Sequence, residues 1–175
     1  MTWTVGADPK RSFAFFSPWF GMDPADNLNL IQPVNPWGGG SWSMCAKSAP
    51  RPAPHVDSHR PRARPIARYT EYFQWSPEHN SNSPQKSVKA GDTLRGSLVY
   101  NHLSDSYYLS QTVLETGATS TQTVKCQSGK KYLVPYIVYE KVFSCGSYPP
   151  DGVVTFHNIT MECETATEPR IDCKV

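Results

Sequence analysis

Short runs in which hydrophobic and polar residues alternate follow one another along most of this chain, and proline, glycine or serine separates them. Alternation over such short runs is typical of half-buried β-strands, whereas helices need longer runs with a different period. We expect a polar turn at 76–84 and another at 90–92. The predicted strands cover residues 13–16, 28–31, 69–75, 93–100, 107–115, 120–126, 132–143 and 153–163. Short strands at this spacing indicate an all-β antiparallel sandwich or barrel.

The length and composition set limits on the architecture and on the partners. A chain of 175 residues fits one domain, 1–175, and its 16 prolines argue against long helices because proline cannot continue a helix. No run approaches the ~20 apolar residues that a membrane-spanning helix needs. The net charge of +2 is too small to predict attraction to nucleic acid or to anionic lipid. We therefore expect a monomer with neither a nucleic-acid nor a membrane partner.

Residues 46–67 differ sharply from the rest, because proline and arginine alternate there and few apolar side chains are available for burial. Such segments stay extended because burial cannot offset the entropy of ordering them. We interpret 46–67 as a disordered insertion loop. A basic arm that binds RNA or an acidic partner is the alternative.

Cysteine content and one short triplet favour a secreted or extracellular protein. Five cysteines, Cys45 and four in the C-terminal third, are consistent with two disulfides and one free thiol, in a pairing that the sequence leaves open. The triplet Asn158-Ile159-Thr160 is an N-glycosylation acceptor pattern. The first residues, however, show no signal peptide.

Common catalytic and ligand-binding motifs do not occur in the chain. A glycine-rich phosphate loop, His-Glu-x-x-His and Gly-x-Ser-x-Gly are all missing, and the five histidines are not spaced with the cysteines as zinc ligands are. His157 in particular is expected to be packed or exposed. We therefore expect no metal and no cofactor.

A series of short motifs nevertheless resembles one known family, the glutamic peptidases or eqolisins. No single motif is specific, but their order along the chain is, if 46–67 is treated as an insertion. The matching pieces are Pro-Trp-Phe-Gly-Met-Asp at 18–23, Leu-Ile-Gln-Pro at 30–33, Tyr-Thr-Glu-Tyr-Phe-Gln-Trp-Ser-Pro at 69–77, Val-Lys-Ala-Gly-Asp-Thr-Leu at 88–94, Tyr-Ile-Val-Tyr-Glu-Lys-Val-Phe-Ser-Cys at 136–145 and Gly-Val-Val-Thr-Phe at 152–156.

The resemblance implies a concanavalin-like β-sandwich of two curved sheets, with a catalytic glutamine at Gln32 and a catalytic glutamate at Glu140. A carboxylate with a reference pKa of about 4.3 can take a proton from water and later return it to the leaving amine. A neutral amide donates N–H groups to the oxyanion of the tetrahedral intermediate. Glu140 is thus expected to be the general base and Gln32 the oxyanion donor, with a protein or peptide as substrate.

The resemblance also implies a substrate groove beside this pair. With Glu140 facing the groove, Tyr136 shares its face, and we expect Tyr72 and Gln74 of a neighbouring strand to do so too. The alternative is that the tyrosines only pack the sheet and that Glu140 is an exposed charge at a strand end. The predicted substrate-binding residues are Trp19, Asp23, Tyr72, Gln74 and Tyr136.

Two features depart from the family pattern. The acidic positions of the family strand fall on Gln74 and Thr70, so we expect its supporting carboxylates to be missing, with Glu71 on the opposite face. The strand before Trp19 is short, so we expect the sandwich to be shortened at its N-terminus unless Trp3 supplies the missing groove tryptophan.

The sequence therefore predicts a glutamic-type acid endopeptidase. The alternative is a catalytically inactive sandwich of the same descent that binds peptide or carbohydrate. A nucleic-acid binder based on the arginines of 46–67 ranks last.

Overall fold

The computed structural model describes residues 1–7, 15–37, 66–74, 78–142 and 153–162, and within them the chain forms strands and no helix. Strands 132–142 and 15–24 are the longest because their alternating side chains fit a surface buried on one side. The strands are β1 Thr2–Thr4, β2 Phe15–Pro24, β3 Asn29–Val34, β4 Ile66–Gln74, β5 His79–Asn82, β6 Lys86–Val88, β7 Thr93–Asn101, β8 Ser106–Val113, β9 Thr119–Val124, β10 Tyr132–Val142 and β11 Phe156–His157.

Two antiparallel sheets pack face to face as a β-sandwich. The first has the strand order β11-β1-β7-β8-β9, and the second has the order β10-β2-β3-β4-β5, with β6 also paired to β4. The predicted all-β sandwich class is thus confirmed. No helix in the described part of the chain is long and apolar enough to cross a membrane.

Alternation along each strand builds the core between the sheets. On β8, Tyr107, Leu109 and Val113 are buried, while Tyr108 between them is 43% exposed. Burial of such side chains contributes roughly 1.5–3 kcal/mol each relative to exposure. One cluster contains Trp3, Val5, Phe16, Phe20, Trp37, Val88, Leu94 and Val113. The second contains Ile31, Tyr72, Tyr107, Leu109, Val124 and Tyr132.

Most predicted strands in the described segments are present, with shifted bounds. β2 continues through Pro18 because proline lacks only a donor, and the Pro18 carbonyl still accepts from the Asn35 amide at 3.1 Å. The polar turn predicted at 76–84 contains β5, which pairs with β4 despite its polar sequence. The strand predicted at 153–163 is reduced to two residues, and His157 there is exposed.

Several expectations fall on residues outside the described ranges. Most of the predicted insertion 46–67 is among them, but its last two residues belong to β4, so that boundary was wrong. Four cysteines are also outside, and Cys126 is a free, half-buried thiol whose pKa burial raises to about 11. The disulfide prediction stays a prediction. Trp3 is fully buried in the core, so it does not supply a groove tryptophan.

Candidate functional site

One face of the second sheet carries a group of polar side chains and is called the polar face here. Adjacent residues in antiparallel strands point to the same side, and Gly21 pairs with Tyr136 while Gln32 pairs with Glu71. The β2–β3 pairing of Trp19 with Val34 and of Met22 with Ile31 places Gly21 beside Gln32. The polar face turns away from the core, because the intervening positions are the core residues. Its members are Trp19, Gly21, Asp23, Gln32, Glu71, Asn80, Asn82, Tyr136 and Glu140.

A short hydrogen bond joins Gln32 of β3 to Glu71 of β4. Gln32 Nε2 donates to Glu71 Oε2 at 2.6 Å, and Asn80 Nδ2 of β5 donates to Glu71 Oε1 at 3.0 Å. Bonds from an amide to an ionised carboxylate are stronger than neutral ones. Gln32 is only 8% exposed, and its Oε1 has no hydrogen-bond partner among the described residues. The amide is thus bonded at its nitrogen and unpaired at its buried oxygen.

Burial controls the acidity of Glu71. Desolvation raises the pKa of its carboxyl group above the ordinary 4.5, while the hydrogen bonds from Asn80 and Gln32 oppose this shift. The negative charge of Glu140 raises the pKa of Glu71 further. Glu71 therefore takes up a proton in less acidic solution than an exposed glutamate does.

Glu140 lies near the end of β10 and is held by a tryptophan. Trp19 Nε1 donates to Glu140 Oε2 at 3.0 Å, which connects the predicted catalytic carboxylate to a predicted groove residue. Glu140 itself is exposed, as the packing interpretation also expected. The Trp19 indole nevertheless fixes the direction of its carboxylate.

Gln32 and Glu140 share the polar face but are offset from each other along the strand direction. Glu140 pairs with Ser17, four residues along β2 from Gly21, the neighbour of Gln32. Four residues correspond to about 13 Å of strand. No hydrogen bond joins Gln32 to Glu140 within the described residues. Because the charge of Glu140 acts on the pKa of Glu71, the two carboxylates lie within Coulombic range of each other.

Gly21 places no side chain in the row between Tyr136 and Gln32, and its neighbours occupy the space that a Cβ would need. A Cβ at this position would lie 2.7 Å from the backbone oxygen of Ile31 and 3.2 Å from Gln32 Cβ. Real Cβ atoms do not approach a backbone oxygen so closely, so a larger residue would push β2 and β3 apart. The glycine thus allows the close strand approach that holds Gln32 in place.

Asp23 and Tyr136 lie at one end of the polar face. Burial raises the pKa of Asp23, whose Oδ1 has no partner among the described residues. The Tyr136 hydroxyl lies 3.5 Å from Oδ1 of Asn27, in the turn between β2 and β3. Asn27 adopts a φ of 54°, in the left-handed region that asparagine tolerates. The turn therefore positions a polar side chain beside the predicted groove.

Two of the residues predicted to share the face of Glu140 do not. Tyr72 and Gln74 face the core, and Tyr72 is 2% exposed. The expected parity of β4 was wrong by one residue, because β4 pairs with β3 so that Glu71, and not Tyr72, is opposite Gln32. Alternation could not reveal this, since both faces of β4 carry aromatic and polar side chains.

Glu71 is the residue that the sequence analysis missed. It was assigned to the opposite face and the strand was expected to lack a supporting carboxylate, yet Glu71 contacts the predicted catalytic amide directly. The resemblance instead places the supporting carboxylates of the family strand at positions 70 and 74, where this chain has Thr70 and Gln74. The described residues contain no group of three or more His, Cys, Asp or Glu side chains arranged to hold a metal ion.

The fold and the polar face define a two-sheet β-sandwich with carboxyl and amide groups on the outer face of one sheet. Two solved structures are similar to it, both of Scytalido-glutamic peptidase. The complex with a transition state analog inhibitor is 18% identical with a TM-score of 0.53 and covers 89% of this chain and 63% of that one. The complex with a peptide based transition state analog is 18% identical with a TM-score of 0.48 and covers 77% of this chain and 52% of that one.

This likeness shows a shared fold. The chain spans less than two thirds of the length of either solved structure. No protein-family model and no curated protein sequence matches the chain.

Proposed function

We propose that this protein is a glutamic-type acid endopeptidase in which Gln32 and Glu140 act on a peptide bond through an activated water. The observation that carries the proposal is Gln32, an amide buried on the polar face whose Nε2 donates to Glu71 and whose Oε1 has no partner among the described residues. A buried amide suits stabilisation of a developing oxyanion once one of its N–H groups faces that oxygen.

Glu140 is the proposed general base. Its carboxylate is aimed by the Trp19 indole and stands on the same face as Gln32. The backbone offset between Glu140 and Gln32 leaves a space in which both a water and the scissile carbonyl have to fit. In this arrangement Glu140 removes a proton from the water and then returns it to the departing amine.

An extended peptide is the proposed substrate, and it would lie along the polar face. Trp19, Asp23 and Tyr136 line that face, and the unpaired Oδ1 of Asp23 is an acceptor for a peptide N–H. Tyr72 and Gln74 have no part in this binding because they are buried behind the sheet. The similar structure of Scytalido-glutamic peptidase holds a transition state analog inhibitor, and a peptidase of this fold supports a peptide as the substrate class.

Secretion is part of the same proposal. Asn158 and Thr160 of the glycosylation triplet are exposed beside strand β11, and Asn158 Nδ2 donates to Thr2 Oγ1 at 3.3 Å. Glycosylation at this triplet requires passage through a secretory compartment.

Digestion of a denatured protein at pH values from about 3 to 5, on both sides of the reference glutamate pKa of about 4.3, tests the activity. Gln32→Ala and Glu140→Gln are each expected to lower kcat by roughly 10²- to 10³-fold, the usual cost of losing a transition-state contact. Gln85→Ala and Glu78→Gln are matched controls at exposed positions and should leave kcat unchanged.

Three results would contradict the assignment. Cleavage that survives both Gln32→Ala and Glu140→Gln shows that the pair is wrong. Peptide or sugar binding without cleavage by the unaltered protein at any acidic pH favours the inactive binding module. Loss of cleavage in Glu71→Gln but not in Glu140→Gln would make Glu71 the reacting acid.

A further inference from the structure

Gln32 has two chemically different ends, and only one of them suits an oxyanion. In the structure Nε2 points to Glu71, and Oε1 is the end without a partner in the described part of the molecule. An amide oxygen accepts hydrogen bonds and cannot stabilise a negative oxygen, whereas the amide nitrogen carries two donors. The observed orientation therefore holds the donor end toward Glu71 and leaves the buried acceptor end unpaired.

We propose that the protonation of Glu71 reverses the Gln32 amide, so that acidification turns its N–H donors toward the position of the substrate. The inference deepens the proposed function and names Glu71 as a positioning residue that acts through Gln32.

The hydrogen-bonding capacity of a carboxyl group explains the reversal. An ionised Glu71 accepts from both Asn80 and Gln32, as observed. Asn80 Nδ2 donates to Oε1 and Gln32 Nε2 donates to Oε2, and a proton added to Oε2 leaves the Asn80 bond in place. The new O–H is a donor and a poor acceptor. The O–H of protonated Glu71 needs an acceptor where Gln32 Nε2 now lies. The Oε1 atom of the same Gln32 amide can supply it.

A rotation of the amide by about 180° about its last torsion meets this need without moving the strands. Terminal torsions of glutamine are broad and two-fold, so the rotated state is accessible. Oε1 then accepts from Glu71, and Nε2 takes the position, unpaired among the described residues, that Oε1 had. No bond is broken, and the proton on Glu71 comes from the solvent.

The charged surroundings of Glu71 favour protonation. Glu140 on β10 and Asp23 on β2 are the other carboxylates on the polar face, and Tyr136 is its other described titratable side chain. The neighbours that contact Glu71 from β3 and β5, Gln32 and Asn80, are neutral amides. In the described side chains of this face there is no lysine or arginine to hold Glu71 ionised. Burial therefore dominates and raises the pKa of Glu71.

NMR of the full chain tests the switch without relying on activity. The ¹³C signal of the Glu71 carboxyl and the side-chain NH₂ signals of Gln32 are expected to titrate with one common midpoint. Gln122 is the internal control, because its Nε2 donates to the Ser81 carbonyl at 3.2 Å and should not follow that midpoint. Glu140→Gln should shift the Glu71 midpoint to lower pH, since a negative charge is removed.

Glu71→Gln gives the second readout. Asn80 still donates to the oxygen of the new amide, so its nitrogen faces Gln32 Oε1 and holds Gln32 in the rotated state at every pH. The Gln32 signals should then lose the shared titration. If the protein cleaves peptides, the variant should keep its activity at pH values where the unaltered enzyme has lost it.

The outcomes separate the two proposals. Coupled titration without cleavage by any variant supports the switch and overturns the proposed function. Cleavage with Gln32 signals that ignore the Glu71 midpoint overturns the switch and leaves the proposed function intact. Glu71→Gln with an unchanged pH profile of kcat also overturns the switch.

Discussion

Strand β4 contributes to a polar group on each face, and the groups differ at one central side chain, because the Tyr72 hydroxyl makes three hydrogen bonds whereas the Gln32 amide oxygen makes none among the described residues. In the interior, the Tyr72 hydroxyl donates to Gln74 Oε1 at 2.7 Å and accepts from Asn29 Nδ2 and from the Gln127 backbone amide. On the polar face, the Gln32–Glu71 pair leaves one buried amide oxygen unpaired in the described part of the chain.

The Tyr72 group has a structural role, whereas the Gln32 group has the functional role that we propose. A buried polar group that lacks a hydrogen-bond partner costs free energy, so a buried group that has its partners, such as the Tyr72 hydroxyl, stabilises the fold. The Tyr72 network joins β3, β4 and the segment after β9, and it fixes how the two sheets meet. On the face where we propose that substrate binds, Gln32 Oε1 has no hydrogen-bond partner among the described residues.

The largest expected effect follows from removing the centre of the interior network. Tyr72→Ala removes a buried aromatic ring and three hydrogen bonds, and it should lower the free energy of unfolding by about 4 kcal/mol. Urea unfolding at neutral pH measures this. Tyr108→Ala is the control, because Tyr108 is 43% exposed on the other side of β8. If the two variants lose the same free energy of unfolding, the hydrogen bonds and burial of Tyr72 do not stabilise the interior as proposed.

A smaller effect is expected where the strands approach each other on the polar face. Gly21→Ala places a Cβ against the Ile31 backbone oxygen, and such overpacking costs typically about 1–3 kcal/mol. Gly129→Ala is a control for the loss of a glycine, although its φ of 78° adds its own strain without any contact. If Gly21→Ala keeps full stability and cleavage, the close approach of β2 and β3 is not needed to hold Gln32.

The smallest effect is a change in how stability depends on pH. The raised pKa of Glu71 means that the folded state binds this proton more tightly than the unfolded state. Its contribution is fully present below the ordinary pKa of 4.5 and is lost as the pH rises through the raised value. The stability of the unaltered protein relative to Glu71→Gln should therefore fall across that range.

Urea unfolding at a series of pH values from about 3 to 7 checks this sign, a range that spans the ordinary glutamate pKa. Gln85→Ala, which removes an exposed side chain without an ionisable group, should show a constant difference from the unaltered protein. A constant difference for Glu71→Gln as well would mean that burial does not control its acidity.

The sequence by itself determined the fold class and most of the strands. Alternation in runs such as Tyr107 to Val113 records which side of a strand is buried, and this local signal needs no knowledge of the partner strand. The order of short motifs also led to Gln32 and Glu140, and the structure places both on one face of one sheet.

Only the tertiary structure decided which residues meet. The pairing of Gln32 with Glu71 depends on the register between β3 and β4, which are separated by 31 intervening residues in the chain. A shift of one residue exchanges the two faces of a strand, and β4 carries polar and aromatic side chains on both. The sequence therefore could not choose between Glu71 and Tyr72. The register between β3 and β4 made that choice, together with the core that buries Tyr72.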